Sequence, residues 1–171
     1  MNVEDPVIVV TDTSVLVNFL CIDRMDLIAR HSHRFVITDH VSEEITEHYP
    51  EQQARLKAAL AEGTVKQMTV AGDEALELFR ELTETRRLGF GESAAIAFAI
   101  ANGYAIAVDD RAAANQARQL KAELVVLGSQ DIMVHLIRSG MIDVAKADKI
   151  KDAWATEHRF CLAIASFREV L

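Results

Sequence analysis

Two aspartates stand side by side in "AIAVDDRAAA" (105–114), where an apolar run gives way to a helix-prone one. One carboxylate is enough to cap a helix, so one of Asp109 and Asp110 is left for another purpose. Asp12 follows the run "VIVVT" (7–11) in the same way, and Asp39, His40, Glu43 and Glu44 follow "FVIT" (35–38). Glu92 opens the most apolar stretch of the chain, "GESAAIAFAIANG" (91–103), behind the flexible "GFG". Singly, each acid has a plain structural use. Asp12 and either of the paired aspartates can cap a helix, Glu92 suits a helix N-terminus, and Glu43 and Glu44 suit a solvated face.

Gathered, these acids need something more. Like charges repel and raise each other's pKa unless a cation neutralises them. The stretch after the last strand, "LGSQD", brings no lysine. A divalent metal fits the gap, and an all-oxygen set of Asp and Glu suits Mg²⁺ or Mn²⁺ rather than zinc. Such an ion polarises a phosphate and lowers the pKa of a bound water; two ions roughly 3.5–4 Å apart stabilise both the attacking and the leaving oxygen of a phosphodiester.

The elements that must position these acids can be read from pattern. Short β-branched and apolar runs at 7–11, 35–38, 104–108 and 123–128 read as buried strands, with "VKQMTV" (65–70) a strand or an edge. Helices are expected over "SVLVNFLCI" (14–22), capped by Asp12 or Thr13, over 41–49 and 51–63, over 73–88 by amphipathic spacing, over 91–103 closed by Gly103, and over 111–121, 129–139 and 143–157. The tail "FCLAIASFREVL" (160–171) has a mixed period. Alternating strands and helices define an α/β fold with a mostly parallel sheet and helices on both faces. Function in such a sheet sits beyond the carboxyl ends of the strands, where the acids fall.

The 171 residues are one domain's worth, with a motif-bearing core at about 7–140 and a helical extension at 141–171. With 18 basic and 26 acidic residues the net charge is −8, so long-range attraction does not draw the chain to nucleic acid, and such a role needs a local basic patch or a metal. Cys21 and Cys161 form no zinc spacing. Glu4 and Asp5 stand where a secretory signal carries positive charge, and no apolar run approaches the ~20 residues of a membrane span. A cytoplasmic protein without a membrane segment is expected.

In this setting the chain resembles the PIN-domain family, metal-dependent nucleases that include toxins of bacterial and archaeal toxin–antitoxin pairs. "VVTDTSVLVNF" is similar to the family's opening strand, with Asp12 as its first acid and Ser14 at the neighbouring hydroxyl position. "TDHVSEEI" resembles the second motif, with Glu44 as the better match to its acid; "LGFGESAAIAFA" resembles the third, with Glu92; "AVDDRAAA" resembles the fourth, with Asp110 preferred and Asp109 as a second ligand or a helix cap. The resemblance implies a three-layer α/β/α sandwich and a Mg²⁺- or Mn²⁺-dependent endoribonuclease acting on single-stranded RNA. It also implies a homodimer and, for toxin members, a small antitoxin. Asp12, Glu44, Glu92 and Asp110 would hold the metal, with Ser14 orienting the site. A subgroup arginine is replaced by Ala114, which leaves Arg111 or Arg118 as its substitute on phosphate. Arg87, with Arg80 and Arg86, lies before "GFGE" and could hold an RNA backbone or end a solvated helix.

Rival readings differ in class. A PIN-like module that binds RNA or protein without cutting keeps the acids and binds metal with no cleavage. A phosphatase of the haloacid-dehalogenase kind or a response-regulator receiver wants DxD after the first strand or a lysine after the last, whereas this chain has "DTS" and "LGSQD". His40, Glu44 and His48 share a helical face of metal-binding spacing, although exposed polar spacing explains it more simply. "HSH" (31–33) reads as a polar connection, and Trp154 and Phe160 as packing residues.

Overall fold

Runs of aliphatic residues without turn formers become β1 (Ile8–Thr11), β2 (Arg34–Thr38), β4 (Ala105–Ala107) and β5 (Val126–Leu127), while the half-polar β3 (Val65–Met68) takes a sheet edge. The computed structural model describes residues 6–171 and pairs these strands into one all-parallel sheet of order β3-β2-β1-β4-β5. Strands of a parallel sheet are covered on both faces, which is why they read as apolar runs rather than as alternation. The pleat sends Val9, Phe35, Ile37, Ala105 and Ala107 into one core, and Val10, Val36, Ile106 and Val108 into the other.

Two helical layers close those cores. On the first side lie α1 (Thr13–Cys21), α2 (Met25–Arg30), α3 (Asp39–His48), α4 (Gln53–Ala61), α8 (Ser129–Arg138) and α9 (Val144–His158). On the second lie α5 (Asp73–Arg80), α6 (Phe90–Asn102) and α7 (Arg111–Leu120). This is the expected three-layer α/β/α sandwich. Helix α6 is buried from Ser93 through Ile100 and stops at Gly103, whose φ of 68° is the left-handed value a glycine tolerates at a helix end.

Three elements depart from the reading of the sequence. The amphipathic stretch 73–88 is not one helix: α5 ends at Arg80 and a wider π-type turn runs over Glu81–Thr85. Thr83 Oγ1 donates to the carbonyls of Phe79 and Arg80, and such back-bonding bends helices. The short α2 has too few residues to show a period, and follows a turn with Asp23 at φ 55°. The tail is irregular until a 3₁₀ turn at Phe167–Val170, and it completes the first core: Phe167 is fully buried, and Asp148 of α9 accepts from the Ser166 hydroxyl and the Phe167 N–H. Trp154 packs edge-on against Phe19 and donates its indole N–H to Asn18 O, a packing role as expected. Among the described residues, no helix is long and apolar enough to cross a membrane.

Candidate active site

From β1 the chain builds β2 and β3 on one side of the sheet, then crosses to lay β4 and β5 on the other. The β1/β4 boundary is therefore the switch point, where an open α/β sheet leaves a crevice beyond its carboxyl ends. Thr11 pairs with Ala107, and the Asp12 N–H donates to Ala107 O at 3.0 Å. Asp12 and Asp109, each just past its strand, thus face the same crevice.

Asp12 is 0 % exposed. Its Oδ1 accepts the Val15 N–H at 3.0 Å, so it caps α1, and both its oxygens accept from the Ser14 hydroxyl at 2.9 and 2.8 Å. Burial pushes this carboxyl up to about 7; the Val15 and Ser14 hydrogen bonds oppose that rise, and the charges of Asp109 and Glu92 add to it. The Ser14 hydroxyl also accepts the Asp109 N–H at 3.2 Å, so one serine fixes two acids.

Asp109 is held from the far side. Ser129 donates its N–H to Oδ1 at 2.8 Å and its hydroxyl to Oδ2 at 2.6 Å, and Asn18 Nδ2 donates to Oδ2 at 2.9 Å. Burial raises its pKa against the pull of those donors. The cap of α7 falls to Asp110, exposed at the rim, whose Oδ1 accepts the Ala113 N–H at 2.8 Å. Asp109 does not cap α7, so the pair divides its work: one half-buried acid in the crevice, tied to the first N–H of α8, and one rim acid that caps α7.

Glu92 and Glu44 come from opposite helical layers. Glu92 closes the first turn of α6 by accepting the Gly89 N–H at 3.3 Å. Its pKa is raised by burial first, then by the charges of Asp110 and Glu44. Glu44 accepts from the Thr13 hydroxyl at 3.0 Å, while its neighbour Glu43 points to solvent. Gly91 makes this meeting possible, since a Cβ there would overlap Glu44 Oε2 and stand 3.0 Å from Thr13 Oγ1.

Among the described residues, none of Asp12, Glu44, Glu92, Asp109 and Asp110 forms an ion pair with a lysine, arginine or histidine. Nor, among those residues, do three His, Cys, Asp or Glu side chains converge as a ready coordination shell. Each carboxyl is tethered by its own donor instead, while Oε1 of Glu44 and of Glu92 accepts no hydrogen bond from the described residues. The donor set suits a hard divalent cation by chemistry: it is all oxygen, it is coupled by like charge, and among the described residues none of its carboxylates is ion-paired.

Arg111 and Arg118 are exposed and line a shallow cleft of about 320 Å³ together with Asp109, Ala114, Gly128 and Asp131. Arg87 is exposed on the connection into α6 with φ at 57°, whereas Arg86 is occupied by Glu81, Gln116 and Gln119. His40 and His48 do not join Glu44: His40 packs on Phe79, and His48 lies exposed beside Glu47. "HSH" is more than a polar connection, because the His31 ring is buried and stacks on His135 with centroids 4.2 Å apart. Thr13, Asn18, Gly91 and Ser129 were not anticipated. A polar Asn18 inside the apolar "VLVNFL", and a serine directly after the last strand, are the signals that could have found two of them.

A switch-point crevice lined by tethered carboxylates forms an acidic site on an α/β/α sandwich. The chain belongs to the PIN domain family, whose model matches residues 8–165. No curated protein matches it. Among solved structures it is similar to the crystal structure of VapBC2 from Rickettsia felis bound to a DNA fragment from their promoter, at 14 % identity and a TM-score of 0.48, over 71 % of this chain and 98 % of that one.

Proposed function

We propose that the chain is a metal-dependent endoribonuclease that hydrolyses phosphodiester bonds of single-stranded RNA. Asp12, Glu44, Glu92 and Asp110 would hold Mg²⁺ or Mn²⁺, and Asp109 would hold a second ion or orient the first. When bound, the metal would supply a polarised phosphate and an activated water. Ser14 keeps Asp12 and Asp109 in register, Asn18 and Ser129 fix the Asp109 carboxylate, and Thr13 positions Glu44. Arg111 and Arg118 stand where they could neutralise a flanking phosphate, in the place left by Ala114. The family membership extends the proposal to a cytoplasmic toxin that forms a homodimer and is restrained by a small antitoxin protein.

The observation that carries this reading is the buried Asp12 carboxyl, coupled to Asp109 and Glu92 and lacking an ion-pair partner among the described residues. The test is cleavage of an end-labelled, mixed-sequence single-stranded RNA in Mn²⁺, in Mg²⁺ and in EDTA, by the wild type, Asp12→Asn and Glu92→Gln. Cleavage only by the wild type with metal supports the proposal. Metal binding with no RNA cut under any condition would replace it with a PIN-like binding module that has lost its chemistry.

A further inference from the structure

We propose that Phe90 is a stacking platform for an unpaired base of the substrate, set beside the acidic crevice. The inference rests on the nuclease reading and names how that substrate would be gripped.

Phe90 is 68 % exposed, the most exposed of the large hydrophobic side chains among the described residues. It is the first residue of α6, two positions before Glu92. A single exposed ring is ordinary on a protein surface; what singles this one out is its setting. The ring does not stand alone: its centroid lies 6.2 Å from Phe79, which lies 4.7 Å from His40 on the first turn of α3. This row runs from the first turn of α6, which carries Glu92, to the first turn of α3, which carries Glu44 one turn further on. Its mount is firm as well, because Gly91 seats the first turn of α6 against Glu44 and Thr13. Gly89 and Gly91 flank the ring, so neither neighbour shields it with a side chain.

The charges nearby select a nucleic acid over a protein partner. Arg87, three residues upstream, is exposed and forms no ion pair among the described residues. In chain order an exposed cation, a bare ring and a crevice carboxylate stand at Arg87, Phe90 and Glu92, the group types that a phosphate, an unpaired base and a metal-held scissile phosphate would meet. Bases of single strands are free to stack on aromatic side chains, whereas those of a duplex are already stacked on each other. The row would therefore favour unpaired RNA without reading its sequence, since every base has a face to stack.

The experiment uses the full chain as wild type, Phe90→Ala and Phe90→Trp, with a single-stranded RNA oligonucleotide in Mn²⁺ and the same oligonucleotide made abasic at successive positions. Two readouts run in parallel: cleavage kinetics, and quenching of the new tryptophan against the wild-type background of buried Trp154. Unchanged thermal unfolding of the exposed variants establishes that they fold. The proposal predicts quenching by single-stranded but not duplex RNA, and a KM raised about tenfold or more in Phe90→Ala with kcat unchanged. It also predicts that one abasic position costs the wild type as much as Phe90→Ala does. Cleavage without quenching or a KM change overturns the platform and leaves the nuclease reading intact. Quenching without cleavage upholds the platform and overturns the nuclease reading. Neither signal removes both. A Phe90→Ala defect indifferent to the abasic positions, or quenching that follows protein concentration instead of RNA, overturns the platform and assigns the ring to a protein contact.

Discussion

Ser129 grips Asp109 at both carboxylate oxygens, through its N–H at 2.8 Å and its hydroxyl at 2.6 Å, and is itself fully buried. The second acid of the crevice is therefore positioned by the residue that begins α8, beyond the neighbouring strand. Hydrogen bonds to a charged group contribute roughly 1.5–3 kcal/mol. Ser129→Ala should lower stability by about that amount in urea denaturation, with Asn18 left as the only side-chain donor on Oδ2 among the described residues. It should also weaken Mn²⁺ binding in a calorimetric titration, an effect that a purely structural serine would not show.

Gly91→Ala separates function from fold. The added Cβ meets the flexible end of Glu44, which can swing aside. The helical alanine gains about 0.5–1 kcal/mol over glycine, which offsets the crowding. Unfolding should stay within about 1 kcal/mol of wild type, while RNA cleavage falls tenfold or more as Glu44 leaves its place. A large loss of stability with full activity would show that Glu44 is a packing residue.

Asp110 carries a cap and a charge, and two substitutions tell them apart. Asparagine keeps the acceptor for the Ala113 N–H; alanine removes it. Asp110→Asn should match the wild type in stability, and Asp110→Ala should lose about 1 kcal/mol. Both should lose metal-dependent cleavage. Activity surviving in Asp110→Asn would reduce Asp110 to a cap and leave the metal to Asp109.

The histidine cluster predicts a pH response away from the crevice. Burial holds the His31 imidazole down at about 3, and the rings of His135 and His33 add to the effect. In the unfolded chain this imidazole takes up a proton below about 6.5. Between those values the unfolded state binds more protons, so stability falls as pH drops. The contribution is fully present above about 6.5 and is lost progressively toward 3. The raised carboxyls of Asp12, Asp109 and Glu92 act in the opposite sense as pH falls, so the check is a difference: the wild type should lose stability relative to His31→Leu between about pH 6.5 and 3.

Much of this arrangement was legible because local signals agreed with the fold. The strand runs of a parallel sheet are uninterrupted, the apolar "ESAAIAFAI" admits only a buried helix, and Asp12, Ser14, Glu44 and Glu92 sit within motifs a few residues long. What was not legible depends on distance along the chain. Asn18 reaches Asp109 across 91 positions, and the ring that stacks on His31 belongs to His135 of α8. No local pattern encodes either meeting. The break after α5 is a different case: Thr83 carries the cause, but only its back-bond to Phe79 makes it one. The division between Asp109 and Asp110 likewise needed the geometry, since either aspartate suits a cap by type.

The most direct test is thermal unfolding of the wild type and Asp12→Asn, each in EDTA and in Mn²⁺. An asparagine can still accept from Val15, and it removes a charge that burial and two neighbouring acids oppose. In EDTA at neutral pH the variant should thus be at least as stable as the wild type. A metal that binds only the folded state adds about 2.7 kcal/mol at a hundred times its Kd, roughly 2–4 °C for each kcal/mol at this size. The account predicts that Mn²⁺ raises the wild-type midpoint by that order and the variant's by far less. No Mn²⁺ shift in the wild type, together with a destabilised Asp12→Asn in EDTA, would contradict it and leave Asp12 as a helix cap alone.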